Sequence, residues 1–315
     1  MRDKIFKTLD EQIQILKEKG LVINNEEYVK EVLLRENYFF LNGYRYPFLK
    51  SLNNKLYIKG TTFEELYSLF LFDRSLRNIM FKNILIIENN IKSIISYQLS
   101  KKYGYKEKDY LNPNNFNCNA DKRRQVNDLL GKMKRQIKNN AMQHSATAHY
   151  VNKYGNIPMW VAVKVLSFGI VSELFSILRK EDQYDIVDMY DLDINDFSNY
   201  LSILSNYRNL CAHEDILYNN KTQKIIEDTK YHRILNIPIM NNEYIYGKND
   251  LFALIIILKS FLKPIEIKNL VIEIKREIDN LEYNLRTIPI VKILDCMGFP
   301  ENWENIVECE TKEKN

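Results

Sequence analysis

Arginine, asparagine and histidine lie close together in the segment from Tyr207 to His213, whose sequence is Tyr-Arg-Asn-Leu-Cys-Ala-His. An arginine guanidinium can bind two phosphate oxygens through parallel hydrogen bonds and stays charged in proteins. Histidine titrates near neutral pH, so its imidazole can take up or release a proton during a reaction. We therefore take Arg208, Asn209 and His213 as candidate catalytic residues for cleavage of a phosphodiester, with Asn209 orienting one of the other two.

RNA cleavage by such residues needs no metal ion if the ribose 2′-hydroxyl attacks the adjacent phosphorus. A base accepts the hydroxyl proton, an acid protonates the leaving 5′-oxygen, and the arginine binds the nonbridging oxygens, where negative charge develops. The expected products are a 2′,3′-cyclic phosphate and a 5′-hydroxyl. No paired carboxylates and no His/Cys metal-ligand spacing adjoin the motif, so we predict neither a metal ion nor a cofactor. One local histidine cannot easily serve as both acid and base, which favours a symmetric dimer with two facing motifs.

An ideal helix turns by about 100° per residue, and this rotation sorts residues 200–213 into two faces. The apolar face should lie against the core and consists of Tyr200, Ile203, Leu204, Tyr207 and Cys211. The opposite, polar face carries Ser202, Ser205, Asn206, Asn209 and His213, with Arg208 beside it. A merely solvated helix in this chain would more typically carry Lys or Glu, so the polar face indicates a surface for a partner or substrate. Arginine and histidine at this spacing also occur by chance, and the motif alone leaves a structural role open.

The strongest helical signal lies ahead of the motif and predicts a long central helix. Thr62 and Glu65 have the spacing of a capping box, the helix continues to about Lys102, and Gly104 ends it. The motif itself lies on a later helix, for which Asp193 or Asn195 supplies the amino-terminal cap.

Charged residues interrupt the apolar surface of the long helix. Asp73 and Arg77 are four residues apart and share a face, and Glu88 lies in the apolar run Ile84-Leu-Ile-Ile-Glu-Asn. Charges near a core are normally paired, which favours internal ion pairs. A role in the site is the alternative, and the sequence leaves both open.

Two further helices are predicted at the amino terminus. Thr8 and Glu11 have capping-box spacing, Gly20 supplies a stop, and a second helix begins near Asn24. The aromatic segment 37–48 follows, and we expect its glycine and proline to interrupt regular helix.

The remaining segments alternate between loops and helices. Residues 105–121 are rich in Asn and Pro and predict a loop, and residues 157–178 predict two helical pieces interrupted at 167–169. Residues 231–246 predict irregular structure or a small hairpin. Residues 250–285 predict two helices that separate near Pro264.

Residues 121–139 predict a basic helix in which only Asp121 and Asp128 are acidic. Its cations are Lys122, Arg123, Arg124, Lys132, Lys134, Arg135 and Lys138. Such a run is often just a solvated face, but it is also the electrostatic footprint that attracts a phosphate backbone. We therefore take these cations as candidate RNA-binding residues.

The composition sets few limits on function. Lys and Arg number 45 and Asp and Glu 41, a net charge of +4 that neither demands nor forbids a polyanionic partner. The four cysteines are widely spaced, so we expect reduced thiols. The charged amino terminus does not resemble a signal peptide, and the most apolar run, 251–258, is too short to span a bilayer. We expect a cytoplasmic protein without a membrane segment.

Several blocks of the chain resemble a known family. Arg208-Asn-Leu-Cys-Ala-His213, followed by Ile216-Leu-Tyr-Asn219, is similar to the signature of the Abi-like (abortive infection) proteins, a branch of the HEPN superfamily. The other similar blocks follow the family's order and are Asn37 to Phe48, Phe72 to Arg77, Ile87-Glu88, Ile157 to Trp160, Leu166 to Gly169 and Met297 to Trp303. Family members often carry a second histidine where this chain has Glu214, and tryptophan where it has Tyr218.

The resemblance implies an all-α fold, a HEPN-like helical bundle with additional amino- and carboxy-terminal helices and a small β-hairpin. The implied division is a terminal segment over 1–60, a HEPN-like core over 61–225 and a helical extension over 226–315. His149 matches a family position and joins the candidate RNA-binding residues, whereas we expect a structural or merely exposed His232.

The resemblance also implies a function. A metal-independent endoribonuclease, acting as an abortive-infection or toxin protein, would cut RNA with Arg208 and His213 in a composite site of a homodimer. The alternative is an RNA-binding protein of the same fold that holds a noncoding RNA, an antitoxin or a guide, and is catalytically silent or regulated by that RNA. A protein-interaction scaffold is a third interpretation.

Overall fold

The computed structural model describes residues 5–51, 53, 55–117 and 119–309. The fold is all-α: 66% of it is helical, with 15 helices and one two-stranded sheet in the described part. The prediction of an all-α bundle with a small hairpin is confirmed.

The helices vary in length from one turn to more than ten. They are α1 (Leu9–Glu18), α2 (Glu26–Glu36), α3 (Tyr38–Gly43), α4 (Phe63–Tyr103), α5 (Glu107–Tyr110), α6 (Arg123–Asn140), α7 (Ser145–Tyr154), α8 (Met159–Val165), α9 (Phe168–Ile177), α10 (Lys180–Val187), α11 (Ile194–Ala212), α12 (Lys230–Ile234), α13 (Leu251–Phe261), α14 (Pro264–Asn284) and α15 (Val291–Met297). The hairpin consists of β1 (Ile239–Met240) and β2 (Glu243–Tyr244), which pair antiparallel.

The 41-residue helix α4, about 60 Å long, is the centre of the fold. Thr62 and Glu65 form the predicted capping box, and Gly104 ends the helix at a positive φ. Helices from both ends of the chain pack against it; its neighbours are α3, α5, α8, α9, α10, α11, α13 and α14. The prediction of a central helix is therefore confirmed.

The motif helix α11 packs against α4 and α9. Arg208 lies against Glu88 of α4, and Asp215, farther along the chain, lies against the earlier residue Arg77. The two helices therefore run antiparallel. Asp193, the first of the two predicted caps, is the N-cap residue of α11. Its side chain accepts hydrogen bonds from the backbone N–H groups of Asn195 and Asp196.

The amino-terminal segment contains one helix more than the sequence predicts. The capping box at Thr8 forms as expected, and Asn25 caps α2. The aromatic segment contains the short helix α3, which Asn37 caps by accepting a hydrogen bond from the Phe39 N–H. The expected break in regular helix comes only after Gly43.

The hairpin and the carboxy-terminal helices agree with their predictions. The hairpin lies within 231–246, although most of the short helix α12, which was not predicted, lies there too, and α13 and α14 separate ahead of Pro264. In α13 every residue from Leu251 to Lys259 is buried, which explains the most apolar run of the sequence as a core helix. No helix in the described ranges combines the length and apolarity needed to cross a bilayer.

Two sequence predictions were wrong in detail. Residues 105–121 are not simply a loop, since they contain α5 and a 3₁₀ turn at Pro113–Asn115. The basic helix starts at Arg123, so Lys122 precedes it. Local propensity is a weak guide to such short elements, because tertiary contacts determine whether they form.

Candidate functional site

The helix α11 presents the predicted apolar face to the core. Tyr200, Ile203, Leu204, Tyr207 and Cys211 are all buried. The polar face differs at Ser205, which is buried rather than available to a partner. A Cβ placed on Gly169 of α9 would lie 3.4 Å from the Ser205 hydroxyl oxygen, so the glycine lets the two helices approach closely at this point.

Arg208 lies over the middle of α4, beside a buried ion pair. Its Nε is 3.5 Å from Glu88 Oε2, and the other carboxylate oxygen of Glu88 accepts a hydrogen bond of 2.6 Å from Lys92 Nζ. The side chains of Glu88 and Lys92 are only 7% and 9% exposed, whereas that of Arg208 is 34% exposed. One buried carboxylate thus holds two cations, and the more exposed cation belongs to the motif.

The contact between Arg208 and Glu88 is electrostatic but lacks hydrogen-bond geometry. Arg208 Nε and Glu88 Oε2 are both buried atoms without a hydrogen-bond partner. The Arg208 guanidinium also lies over the ring of Phe81, 5.6 Å from its centroid, which is within cation–π range. The guanidinium is therefore oriented by charge and by an aromatic face, and its hydrogen-bonding capacity is not used up within the fold.

Asn209 and His213 are exposed at the carboxy-terminal end of α11. His213 is the C-cap residue of α11, and its backbone N–H still donates a hydrogen bond to the carbonyl of Asn209. The next residue, Glu214, is left-handed at φ 57°, and the N–H groups of Glu214 and Asp215 donate to the carbonyls of Cys211 and Leu210. This pattern is a Schellman motif with glutamate in the position that glycine usually takes.

The loop after His213 is anchored to α4 by a second ion pair. Asp73 and Arg77 are fully buried, with 2.5 Å between Asp73 Oδ2 and an Arg77 guanidinium nitrogen. The Asp73 carboxylate also accepts hydrogen bonds from the Tyr44 hydroxyl and from the backbone N–H groups of Leu217 and Tyr218. Internal pairing of Asp73 and Arg77 is therefore confirmed, and the pair fixes the chain just beyond the motif.

The cysteine within the motif is not placed for nucleophilic chemistry. Cys211 is buried, and burial raises the pKa of its thiol to about 12. The thiol is therefore protonated and acts as a small apolar side chain of the core. Cys296 and Cys309 are also free thiols, whereas Cys118 lies outside the described residues. No group of three or more His, Cys, Asp or Glu side chains that could hold a metal ion occurs in the described ranges.

The predicted RNA-binding residues lie apart from the motif, on other helices. The helix α6 buries an apolar face and exposes its cations, and α9 packs against both α6 and α11. Two of the cations of α6 form ion pairs, Lys132 with Glu173 and Arg124 with Asp128. The other exposed cations of this helix are Arg123, Lys134, Arg135 and Lys138.

The predicted histidines lie in different surroundings. His149 is exposed on α7 and makes edge contacts with the rings of Tyr150 and Tyr154. His232 is buried and accepts a hydrogen bond from the Thr229 N–H, while its second ring nitrogen contacts the Gly247 carbonyl. Burial lowers the pKa of His232, and the expected structural role is confirmed.

Sequence reasoning did not identify Lys92 or Phe81 as part of the site. Lys92 is four residues after Glu88, so helical spacing alone could have indicated this ion pair. The position of Phe81 beneath Arg208 depends on how α11 packs on α4, which no local pattern shows.

The family model described as Abi-like protein matches residues 31–219, well over half of the 315 residues. The match runs from α2 through the motif and ends before α12, so the block Met297 to Trp303 lies outside it. No curated protein and no solved structure matches the chain. Because this match covers more than half of the chain and includes the Arg208–His213 segment, the chain belongs to the family of Abi-like proteins.

Proposed function

We propose that this Abi-like protein is a HEPN-type endoribonuclease that acts in abortive infection, in phage defence or as the toxin of a toxin–antitoxin pair. The observation that carries the proposal is that a partly exposed arginine and an exposed histidine both lie near the carboxy-terminal end of one helix. Arg208 faces the buried Glu88 through its buried Nε, while the side chain as a whole is 34% exposed, so phosphate oxygens would bind to its two Nη groups.

The reaction is a transfer of phosphorus from the 5′-oxygen to the 2′-oxygen of the preceding ribose. A histidine accepts the 2′-hydroxyl proton as the 2′-oxygen bonds to phosphorus, the bond from phosphorus to the 5′-oxygen breaks, and an acid protonates that oxygen. The Arg208 guanidinium binds the nonbridging oxygens, where charge increases in the transition state. Asn209, exposed between these two residues in the sequence, orients one of them or the substrate.

The second proton transfer requires a group that one motif does not supply. His213 is the histidine of the motif, and the left-handed position that follows it is occupied by Glu214. A homodimer with two facing motifs would provide a second imidazole for the acid. A purified protein that cleaves RNA while strictly monomeric would contradict this part of the proposal.

The test is to incubate the purified protein with RNA in the presence of a chelator and to map the ends of the products. We expect 2′,3′-cyclic phosphates and 5′-hydroxyls, growth inhibition when the protein is expressed, and the loss of both in His213→Ala. His144→Ala is the matched control, because His144 is also exposed and lies outside the motif. Undiminished cleavage by folded His213→Ala would refute the proposal, as would 3′-hydroxyl products.

The alternative function is an RNA-binding protein that is catalytically silent or regulated by a bound noncoding RNA. The exposed cations of α6 favour it, because together they form a surface that a phosphate backbone would bind. Purification of the His213→Ala protein followed by sequencing of bound RNA tests this alternative. A discrete RNA that stays intact with the wild-type protein would favour it over the nuclease.

A further inference from the structure

A pocket of about 450 Å³ lies between the aromatic segment and the loop that follows the motif. One wall consists of residues 35–46, which include α3, and the other consists of residues 214–216. The wall formed by 214–216 begins directly after His213, so the pocket adjoins the candidate active site along the chain. Its volume is within the range of sites that hold one small ligand.

The pocket exposes aromatic rings that the core does not use. Phe39 and Phe40 are 72% and 51% exposed and contact each other edge to face, and Tyr46 is 53% exposed. Exposed phenylalanines on one short helix are costly to leave in water. They provide flat faces on which a planar ring can stack.

The floor of the pocket is rigid, because it is built on the ion pair that anchors the motif. Tyr44 and Arg77, which bind Asp73, line the pocket together with Phe70. Gly43 allows the aromatic segment to approach the other wall, since a Cβ on Gly43 would lie 2.5 Å from the Ile216 Cδ1 atom. The two walls are thus held together by the close packing of Gly43 against Ile216.

Some of the charged side chains around the pocket form ion pairs, and others do not. Glu36 is bound by Arg74 through two hydrogen bonds and by Arg35, so this carboxylate is already paired. Glu214 and Asp215 on the motif wall are exposed, and Glu214 is electrostatically coupled to Arg74.

Arg45 is the cation of the pocket that has no carboxylate partner among the described residues. Its Nε is a buried atom without a hydrogen-bond partner. Lys19 lies near it, and burial together with the charge of Arg45 lowers the pKa of Lys19. Two neighbouring cations without a carboxylate between them are an electrostatically unfavourable pair, which an anion would relieve.

We propose that this pocket binds one nucleotide of the RNA substrate, next to the phosphodiester that is cut. The base stacks on one of the two nearly perpendicular rings of Phe39 and Phe40, and a phosphate of the same strand contacts Arg45. Exposed aromatic rings on which bases can stack, beside a cation, are the combination with which proteins hold single-stranded nucleic acid. This inference rests on the proposed ribonuclease function and adds a substrate-binding subsite to it.

The first experiment measures binding with the His213→Ala protein, so that the RNA is not consumed. Short fluorescein-labelled oligouridylate and oligoadenylate are titrated, and fluorescence anisotropy gives the dissociation constant. Phe39→Ala combined with Phe40→Ala should weaken binding about tenfold or more, and Arg45→Gln should weaken it by a similar factor. The matched controls Tyr97→Ala and Arg276→Gln, both at exposed positions elsewhere, should keep the affinity within about twofold.

The second experiment separates this inference from the proposed function. In the otherwise wild-type protein the pocket variants should raise KM for RNA while kcat changes little, because the reacting groups stay intact. RNA cleavage with pocket variants that behave like the controls would overturn the pocket assignment alone. The absence of both RNA binding and cleavage in the wild-type protein would overturn the proposed function and the subsite with it.

A free nucleotide also carries a base and a phosphate and could occupy the same pocket. Binding measurements with AMP and UMP distinguish a free nucleotide from an RNA strand. If the pocket serves the RNA strand, these nucleotides bind far more weakly than the oligonucleotides and compete with them. Tight binding of AMP or UMP that the pocket variants abolish, with RNA affinity unchanged, would overturn the proposal in favour of a small effector.

Discussion

Two ion pairs of the same spacing lie on α4, but their surroundings differ. In the first, Asp73 accepts hydrogen bonds from Arg77, Tyr44 and two backbone N–H groups, and both charges are fully buried. In the second, Glu88 binds Lys92 through one oxygen and leaves the other without a hydrogen bond, 3.5 Å from Arg208. The hydrogen-bonding capacity of the first pair is used up, whereas the second pair has a further partner, Arg208, whose side chain is about one third exposed.

The difference separates a structural pair from a positioning pair. A buried charge whose lone pairs are all used holds its neighbours in one arrangement, and here these include the chain just after His213. A buried carboxylate with a spare oxygen attracts an arginine without fixing its hydrogen bonds. Glu88 can therefore hold the Arg208 side chain in place while the guanidinium remains able to bind a phosphate.

Exchange of each carboxylate for an amide tests this comparison, and the larger effect is expected at Asp73. In Asp73→Asn the amide N–H donors would face the Arg77 guanidinium or the Tyr218 N–H, which are themselves donors. Arg77 also becomes a buried charge without a counterion. We expect the free energy of unfolding to fall by about 3–5 kcal/mol, measured by chemical denaturation. The control is Asp128→Asn, which breaks an exposed pair of the same spacing and should cost less than about 1 kcal/mol. Equal costs for the two variants would remove the distinction between them.

The same exchange at Glu88 should affect catalysis more than stability. In Glu88→Gln the amide oxygen can still accept from Lys92, and the new N–H donors replace an oxygen that has no hydrogen bond. Lys92 keeps this hydrogen bond but loses its counterion, so we expect the free energy of unfolding to fall by about 1–2 kcal/mol. The kcat for RNA cleavage should fall about tenfold with little change in KM, since Arg208 loses the charge that orients it. A stability loss as large as that of Asp73→Asn, with kcat unchanged, would show a purely structural role.

The smallest effect concerns a buried histidine, His232, and it appears as a pH dependence of stability. Burial lowers its pKa below the ordinary 6.5. As the pH falls, the His232 imidazole is therefore protonated at a higher pH in the unfolded chain than in the folded chain. Stability should therefore be complete above pH 6.5 and decrease as the pH falls toward the lowered pKa. Denaturation at a series of pH values should show this slope in the wild type and a weaker slope in His232→Gln. An identical slope in both proteins would assign the dependence to other groups.

Local sequence signals predicted the elements that carry the site. The capping box at Thr62, the stop at Gly104 and the cap at Asp193 fix α4 and α11 through short-range hydrogen bonds, so they are visible in the sequence. The apolar face of α11 follows from helical spacing in the same way. Helix positions and the buried side of the motif were therefore predictable.

Contacts between distant segments could not be predicted in this way. Glu88 meets Arg208, and the aromatic segment meets Ile216, only because α11 and α3 pack on α4. The burial of Ser205 depends on the close approach that Gly169 permits. Such contacts depend on tertiary packing, and a periodic pattern contains no information about which helix will be the neighbour.

The most direct test of the central claim is a paired measurement on Arg208→Ala. We expect single-turnover RNA cleavage to fall about 100-fold or more while the free energy of unfolding changes by less than about 1 kcal/mol, because the guanidinium acts on the transition state and not on the fold. Wild-type cleavage by the folded Arg208→Ala protein, or a stability loss that accounts for the lost activity, would contradict it.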